Sequence, residues 1–204
     1  MTIIAAADHA DKAKRQQGRG KMRRCGCGEE EALRNLELKV PVPALAEARE
    51  AMGRIGAVPM GSQAQTDTYY RVPHGRLKLR QIDGQGEATL IAYDRPDEPA
   101  SRYSDYLLAP VADPDALRAT LALALGVLVV VRKRRELWRY GATRIHLDAV
   151  DGLGSFVELE TVLRGQPAAA AVAEHLLVRD RLGLAALVAI PGGYADLLLA
   201  ARER

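Results

Sequence analysis

Five segments of this chain alternate ionic or polar side chains with aliphatic ones. Asn35, Glu37 and Lys39 alternate with Leu36, Leu38 and Val40, and Arg76, Lys78 and Arg80 alternate with Leu77 and Leu79. Lys133 with Arg135, Arg144 with His146 and Asp148, and Glu158 with Glu160 repeat the pattern. Residues two apart on a strand share a face, so each segment as a strand has one ionic face and, in most of them, one apolar face. A solvated sheet meets that description. The ionic faces are also sorted by type, with carboxylates at the two ends of the series and mostly cations between. That sorting suits a site for a metal-bound polyanion.

The segments between supply the rest of a small fold. A strand over 33–40 stops at Pro41 and Pro43, and a helix follows in which Leu45, Ala48, Met52 and Ile55 fall at helical spacing. Strands are expected over 65–72, 76–82, 88–95 and 102–111, joined by hairpin-length turns. Asp113 caps a helix over 114–125 that carries proline in its first turn, and a long strand spans 127–140. Strands over 144–150 and 155–163 flank the turn Asp151 to Gly154, and helices over 167–182 and 194–201 finish the chain. About eight strands with short turns predict an α+β fold: an eight-stranded antiparallel closed barrel with helices packed outside. A barrel whose apolar faces point outward is covered by those amphipathic helices, and its ionic faces line a tunnel. Unpaired charge there costs several kcal/mol per group, so such a lumen binds something ionic.

Composition narrows the classes. The chain has 204 residues, 48% of them hydrophobic, which fits one domain with a real core. Aromatic residues make up only 4%, so the core is aliphatic and rings for stacking a base are scarce. The net charge is only +3; residues 12–24 carry seven basic residues and no acid, and outside residues 1–32 the chain is close to neutral, so no specific nucleic acid is expected as a partner. Residues 1–32 therefore read as a basic, disordered tail with no assigned function, and 33–204 as the folded domain. Cys25 and Cys27, the only cysteines, lie too close to pair and have no second pair for a zinc site. The start of the chain lacks a signal peptide's regions, and no apolar run reaches a membrane span, so a soluble cytoplasmic protein is expected. A homodimer is compatible with the sequence.

Asn35, Glu37 and Lys39 resemble the E-x-E-x-K signature of the CYTH superfamily, the triphosphate tunnel metalloenzymes. That superfamily includes class IV adenylyl cyclases, thiamine triphosphatases and inorganic triphosphatases. The resemblance continues in family order through Gln65, Asp67 and Tyr69, the 76–80 segment, Tyr93 and Arg95, Lys133 and Arg135, the 144–148 segment, and Glu158 with Glu160. It implies an eight-stranded antiparallel tunnel that binds a triphosphate-containing small molecule with Mg2+ or Mn2+. It also implies metal ligands at Glu37, Glu158 and Glu160, with Asp148 a ligand or a partner that orients one. Glu37, Asp148, Glu158 and Glu160 form the expected catalytic set. Lys39, Lys78, Arg80, Arg95, Lys133, Arg135 and Arg144 are expected to hold phosphates. The chain departs from the signature at Asn35, which stands where the first glutamate belongs and brings no charge to a metal.

Three functions follow from that resemblance, with the cyclase the leading expectation and the triphosphatase and the sensor its alternatives. Attack by a ribose hydroxyl on the α-phosphorus of ATP gives cyclic AMP and pyrophosphate, as in class IV adenylyl cyclases, which the 75–80 and 144–160 segments resemble most. Attack by water on the terminal phosphorus makes the chain an inorganic or thiamine triphosphatase. A weakened metal site makes it a polyphosphate or nucleotide sensor without turnover. His146 reads as a hydrogen-bonded lining residue or as a general base. Tyr69, Tyr70 and Tyr93 read as packing residues, Arg132 and Arg134 as outer-face charges, and the acids around Arg95 as a polar turn.

Overall fold

The computed structural model describes residues 33–203; the basic segment and both cysteines lie outside the described residues. Eight strands, β1 (Leu33–Val42), β2 (Val58–Tyr70), β3 (Arg76–Ile82), β4 (Ala88–Asp94), β5 (Arg102–Val111), β6 (Val127–Tyr140), β7 (Thr143–Val150) and β8 (Gly154–Leu163), close into a barrel. The order around it is β1-β5-β4-β3-β2-β6-β7-β8, and every pairing is antiparallel. Four helices accompany them: α1 (Leu45–Ile55), α2 (Pro114–Leu125), α3 (Ala168–Arg181) and α4 (Tyr194–Arg202). A short 3-10 turn, Leu184–Ala186, lies between α3 and α4.

The inverted patterning is realised. On the outer face, Leu38, Val40, Ile145, Leu147, Val157 and Leu159 of β1, β7 and β8 pack on Met52 of α1 and Val178 of α3. Tyr70, Leu79 and Ala88 of β2, β3 and β4 pack on Leu117, Leu121 and Leu125 of α2. Each leucine so buried contributes about 2 kcal/mol, so the helices are the barrel's missing core. A third cluster sits on inward-facing positions. Tyr69, Val129, Val131, Val150 and Phe156 meet Tyr194 and Ala195, so α4 lies across one end of the barrel.

β1 and β2 differ from the sequence expectation because of the strands they pair with. β1 continues through Pro41 to Val42, because β5 pairs only as far as Glu37 and leaves the proline's missing donor on an unpaired side. β2 starts at Val58, well before Gln65, as the partner of the long β6, with a register shift between Pro59 and Gly61. Polar residues, proline and glycine hide a strand that a long neighbour recruits.

Candidate functional site

Closure decides what the ionic faces meet. β1 and β8 lie at opposite ends of the sequence series but pair in the barrel, with Glu37 opposite Glu160 and Lys39 opposite Glu158. β7 adds His146 opposite Glu158 and Arg144 opposite Glu160. Across the barrel, β2, β3 and β6 set Asp67 beside Arg80, Tyr69 beside Lys78, and Gln65 beside Lys133. Strand order thus makes an acidic wall on β1 and β8 face a basic wall on β2 and β3.

These walls enclose a cavity of about 230 Å³. Gly193 and Tyr194 line its closed end together with Arg95 and Tyr93, whereas Ile91, Leu108, Leu137, Tyr106 and Gln63 line the other end. Of the expected site residues, Glu37, Lys39, Lys78, Arg80, Arg95, Lys133, Arg135, Arg144, Glu158 and Glu160 all line this cavity. Asp148 does not. It is fully buried behind Arg135, which it grips with two hydrogen bonds of 2.7 and 2.6 Å, and it accepts a third from the Tyr194 hydroxyl at 2.7 Å. Burial alone would raise the Asp148 carboxyl, but Arg135 holds it at about 2.

The acidic wall is crowded. Glu158 pairs with Lys39, accepts from Arg135 at 2.6 Å, and lies 3.2 Å from His146 Nδ1. Lys39 and Arg135 thereby hold the Glu158 carboxyl well below its ordinary value, against the effect of burial. Arg95 lies 3.9 Å from Glu37, and burial together with Glu160 and Glu158 raises the Glu37 carboxyl against the pull of Lys39 and Arg95. Three carboxylates crowded in low dielectric favour a divalent cation between them. Ligand atoms of His146, Glu158 and Glu160 lie within 4.8 Å of one another, so the residues present fit such an ion. Burial, and then Arg135, lowers His146 and keeps its imidazole neutral, as ligation requires. Asn35 is buried, and in the orientation that satisfies its hydrogen bonds its amide oxygen accepts from Arg144 at 3.0 Å while its nitrogen donates to Tyr106. Its oxygen is thereby engaged by an arginine.

On the basic wall one carboxylate gathers three cations. Asp67 is 1% exposed and accepts from Arg80 at 2.7 and 2.8 Å, from Lys78 at 3.2 Å and from Lys133 at 3.1 Å. Those cations hold its carboxyl well below the ordinary range despite burial. One anion cannot neutralise three cations, so the wall keeps a surplus positive charge facing the cavity. Burial draws the Lys133 ammonium down to about 7, with Arg135 and Arg80 adding to the effect against Asp67. Arg76 stands apart, paired with Asp97 at 2.6 Å and Asp196 at 3.4 Å. Arg132 and Arg134 are exposed on the outer face. Tyr69 and Tyr93 line the cavity, while Tyr70 is in the outer core.

Sequence reasoning missed Asp67 as a buried charge, and Gly193 and Tyr194 altogether. Asp67 carried a signal, since it shares the period-2 face of Gln65 and Tyr69. The two residues of the C-terminal segment carried none, because only the fold brings them to the tunnel.

Comparisons with known proteins agree with this fold. A structure from Pyrococcus horikoshii is similar, with TM-score 0.68, 25% identity, and 80% of this chain and 98% of that one covered. An adenylate cyclase candidate from Vibrio parahaemolyticus is similar at TM-score 0.66 and 19% identity, covering 82% of this chain and 99% of its own. An adenylyl cyclase candidate from Hippeastrum, described as having a dominant triphosphatase activity, is similar at TM-score 0.56 and 13% identity, covering 84% and 96%. No curated protein matches. The family model for the CYTH domain matches residues 33–194. Among the described residues no helix is long and apolar enough to cross a membrane.

Proposed function

Because the chain belongs to the CYTH domain family, we propose that residues 33–204 form a metal-dependent enzyme that seats a triphosphate between its acidic and basic walls and hydrolyses it. The carrying observation is the cavity itself: its volume of about 230 Å³ and charged lining suit a bare polyphosphate chain, since sites for drug-sized ligands run from about 300 Å³ upward. Glu37, Glu158, Glu160 and His146 would hold a hard divalent ion, Mg2+ or Mn2+. Such an ion would screen phosphate charge and make water a stronger nucleophile there. Arg80, Lys78 and Lys133 bind phosphoryl oxygens and stabilise the charge that shifts onto them as the terminal bond breaks. Asp148 orients Arg135 toward the same oxygens, and Arg144 guards the open end.

A second reading is cyclisation of ATP to cyclic AMP and pyrophosphate. The apolar residues at the open end, Ile91, Leu108 and Leu137, favour it, because a nucleoside left outside the tunnel would rest on them. The test is incubation with Mn2+ or Mg2+ and, separately, tripolyphosphate, thiamine triphosphate and ATP, resolving phosphate, pyrophosphate and cyclic AMP. Orthophosphate from tripolyphosphate supports hydrolysis, and cyclic AMP with pyrophosphate moves the assignment to the cyclase. Binding of tripolyphosphate with no product from any of the three substrates at any metal concentration overturns both in favour of a sensor.

A further inference from the structure

The helices leave one strip of the barrel's outer face bare. α2 packs on β2, β3 and β4, and α1 and α3 pack on β1, β7 and β8, while Arg132 and Arg134, outward on β6 between those groups, are exposed. Arg134 stands in register between Ala64 of β2 and Ala149 of β7, and two methyl groups beside one long side chain leave a hollow in the sheet surface. Where β2 slips register, at Gly61 with φ 112°, an added Cβ would meet nothing within 4 Å, so the hollow is open on that side. Leu45 at the start of α1, Pro59 and Trp138 wall it. Its volume is about 490 Å³, more than twice the tunnel's 230 Å³, and falls within the roughly 300–1,000 Å³ of small-molecule sites. The polar groups around it are unequal. Glu136 is taken by Arg49 of α1 through hydrogen bonds of 2.9 and 2.6 Å, whereas Arg134 has no such partner among the described residues.

We infer that this hollow is a second binding site, outside the tunnel, for a mononucleotide whose base lies against the Trp138 indole and whose phosphate pairs with Arg134. Both groups line the hollow. They lie four residues apart on one face of β6, roughly 13 Å along the strand, which suits a ligand with a ring at one end and an anion at the other. Arginine takes phosphate oxygens in a planar fork, and a base stacks on an aromatic ring whichever base it is, so the pair selects a ring joined to a phosphate. An inorganic polyphosphate brings charge and no ring, and so lacks half of what the hollow offers. Gln63, Arg135 and Leu137 line both cavities, so β2 and β6 are a common wall, with Arg135 on the tunnel side and Arg134 on the outer side. The inference does not depend on what the tunnel binds.

Trp138 is the chain's only tryptophan, so its emission reports on the hollow directly. Adenosine 5'-monophosphate is titrated into the full chain, Arg134→Glu and Arg80→Ala, by calorimetry and by tryptophan fluorescence excited where adenine does not absorb, with folding checked by circular dichroism. The expected result is a saturable change in Trp138 emission at the calorimetric affinity, binding at least about tenfold weaker in Arg134→Glu, and native affinity in Arg80→Ala. Ribose 5-phosphate, which has the anion and no base, is expected to bind at least about tenfold more weakly than the nucleotide. Native affinity in folded Arg134→Glu overturns the site, and a loss confined to Arg80→Ala places the nucleotide in the tunnel instead. The absence of saturable binding in both readouts overturns the inference, as does ribose 5-phosphate binding as tightly as the nucleotide. If Arg134→Glu does not fold, the Trp138 titrations of the native chain and Arg80→Ala decide alone.

Discussion

Asp148 shows how a buried carboxylate can serve a polyphosphate site without touching its ligand. Its two oxygens are spent on Arg135 and on the Tyr194 hydroxyl, so it sets the position of the cation that in turn holds Glu158. Asp148→Asn leaves Arg135 buried with part of its counter-charge gone, and should cost about 3 kcal/mol of stability in denaturant titrations; a loss under about 0.5 kcal/mol would contradict the buried pair. Lys133 makes a prediction of a different kind. Since burial draws its ammonium to about 7, much of it is neutral at about pH 8, and a bound polyanion restores its charge. Tripolyphosphate binding at that pH should therefore take up a proton, seen as a binding enthalpy that changes with the ionisation enthalpy of the buffer. Identical enthalpies in all buffers would remove Lys133 from the phosphate site. A sequence shows neither effect, because alternation gives the face of Lys133 and Asp148 but not which neighbours surround them.

At the scale of elements, α3 is tied to the barrel by a chain of buried hydroxyls and one imidazole. His175 is fully buried, with Nε2 3.0 Å from Ser101 Oγ and Nδ1 2.9 Å from Thr161 Oγ1, and Thr161 bonds Thr143, which donates to Glu174. Burial, and then Arg179, lowers His175 from 6.5 to about 4, so the folded chain holds it neutral. The sign follows from which state binds the proton first. Above about pH 6.5 both states are neutral and the contribution is complete; as pH falls toward about 4 the unfolded chain alone takes up the proton, and about 3 kcal/mol is lost. Unfolding free energies at pH 7 and 4.5 should fall more steeply for the native chain than for His175→Gln, and equal slopes would contradict the latch. Helix boundaries were legible from local chemistry: Asp113 accepts from Ala116 N–H at 3.0 Å and Gly56 takes the left-handed C-cap with φ 76°. The early start of β2 and the placement of α4 over the barrel end were not, because both depend on partners distant in sequence.

For the whole molecule, the central event is barrel closure. The acidic and basic segments are sorted along the chain in a way that looks linear, and pairing of β1 with β8 folds the two acidic ends into one wall opposite the cations. The sorting of charge along the chain was readable from period-2 alternation, and an inverted barrel wrapped in helices from that alternation with the short turns and helical spacing; the opposition of the two walls was not, because it depends on strand order. The balance of charge was not: Asp67 neutralises part of the basic wall that alternation counted as free. The surplus that remains should make a polyphosphate a folding ligand. At a tripolyphosphate concentration 100 times its dissociation constant, stability should rise by about 2.7 kcal/mol, read as a higher melting temperature; an unmoved melting temperature there would contradict binding to the folded tunnel.

The most direct test of the opposed walls is phosphate release from tripolyphosphate with Mn2+, measured side by side for the native chain, Glu160→Gln and Arg80→Ala, with folding checked by circular dichroism. The account predicts turnover by the native chain, a loss of about 100-fold in kcat for Glu160→Gln because charge is removed from the metal site, and a rise of about tenfold or more in KM for Arg80→Ala because a phosphate contact is lost. Native kinetics in either folded variant would contradict the wall to which that residue is assigned.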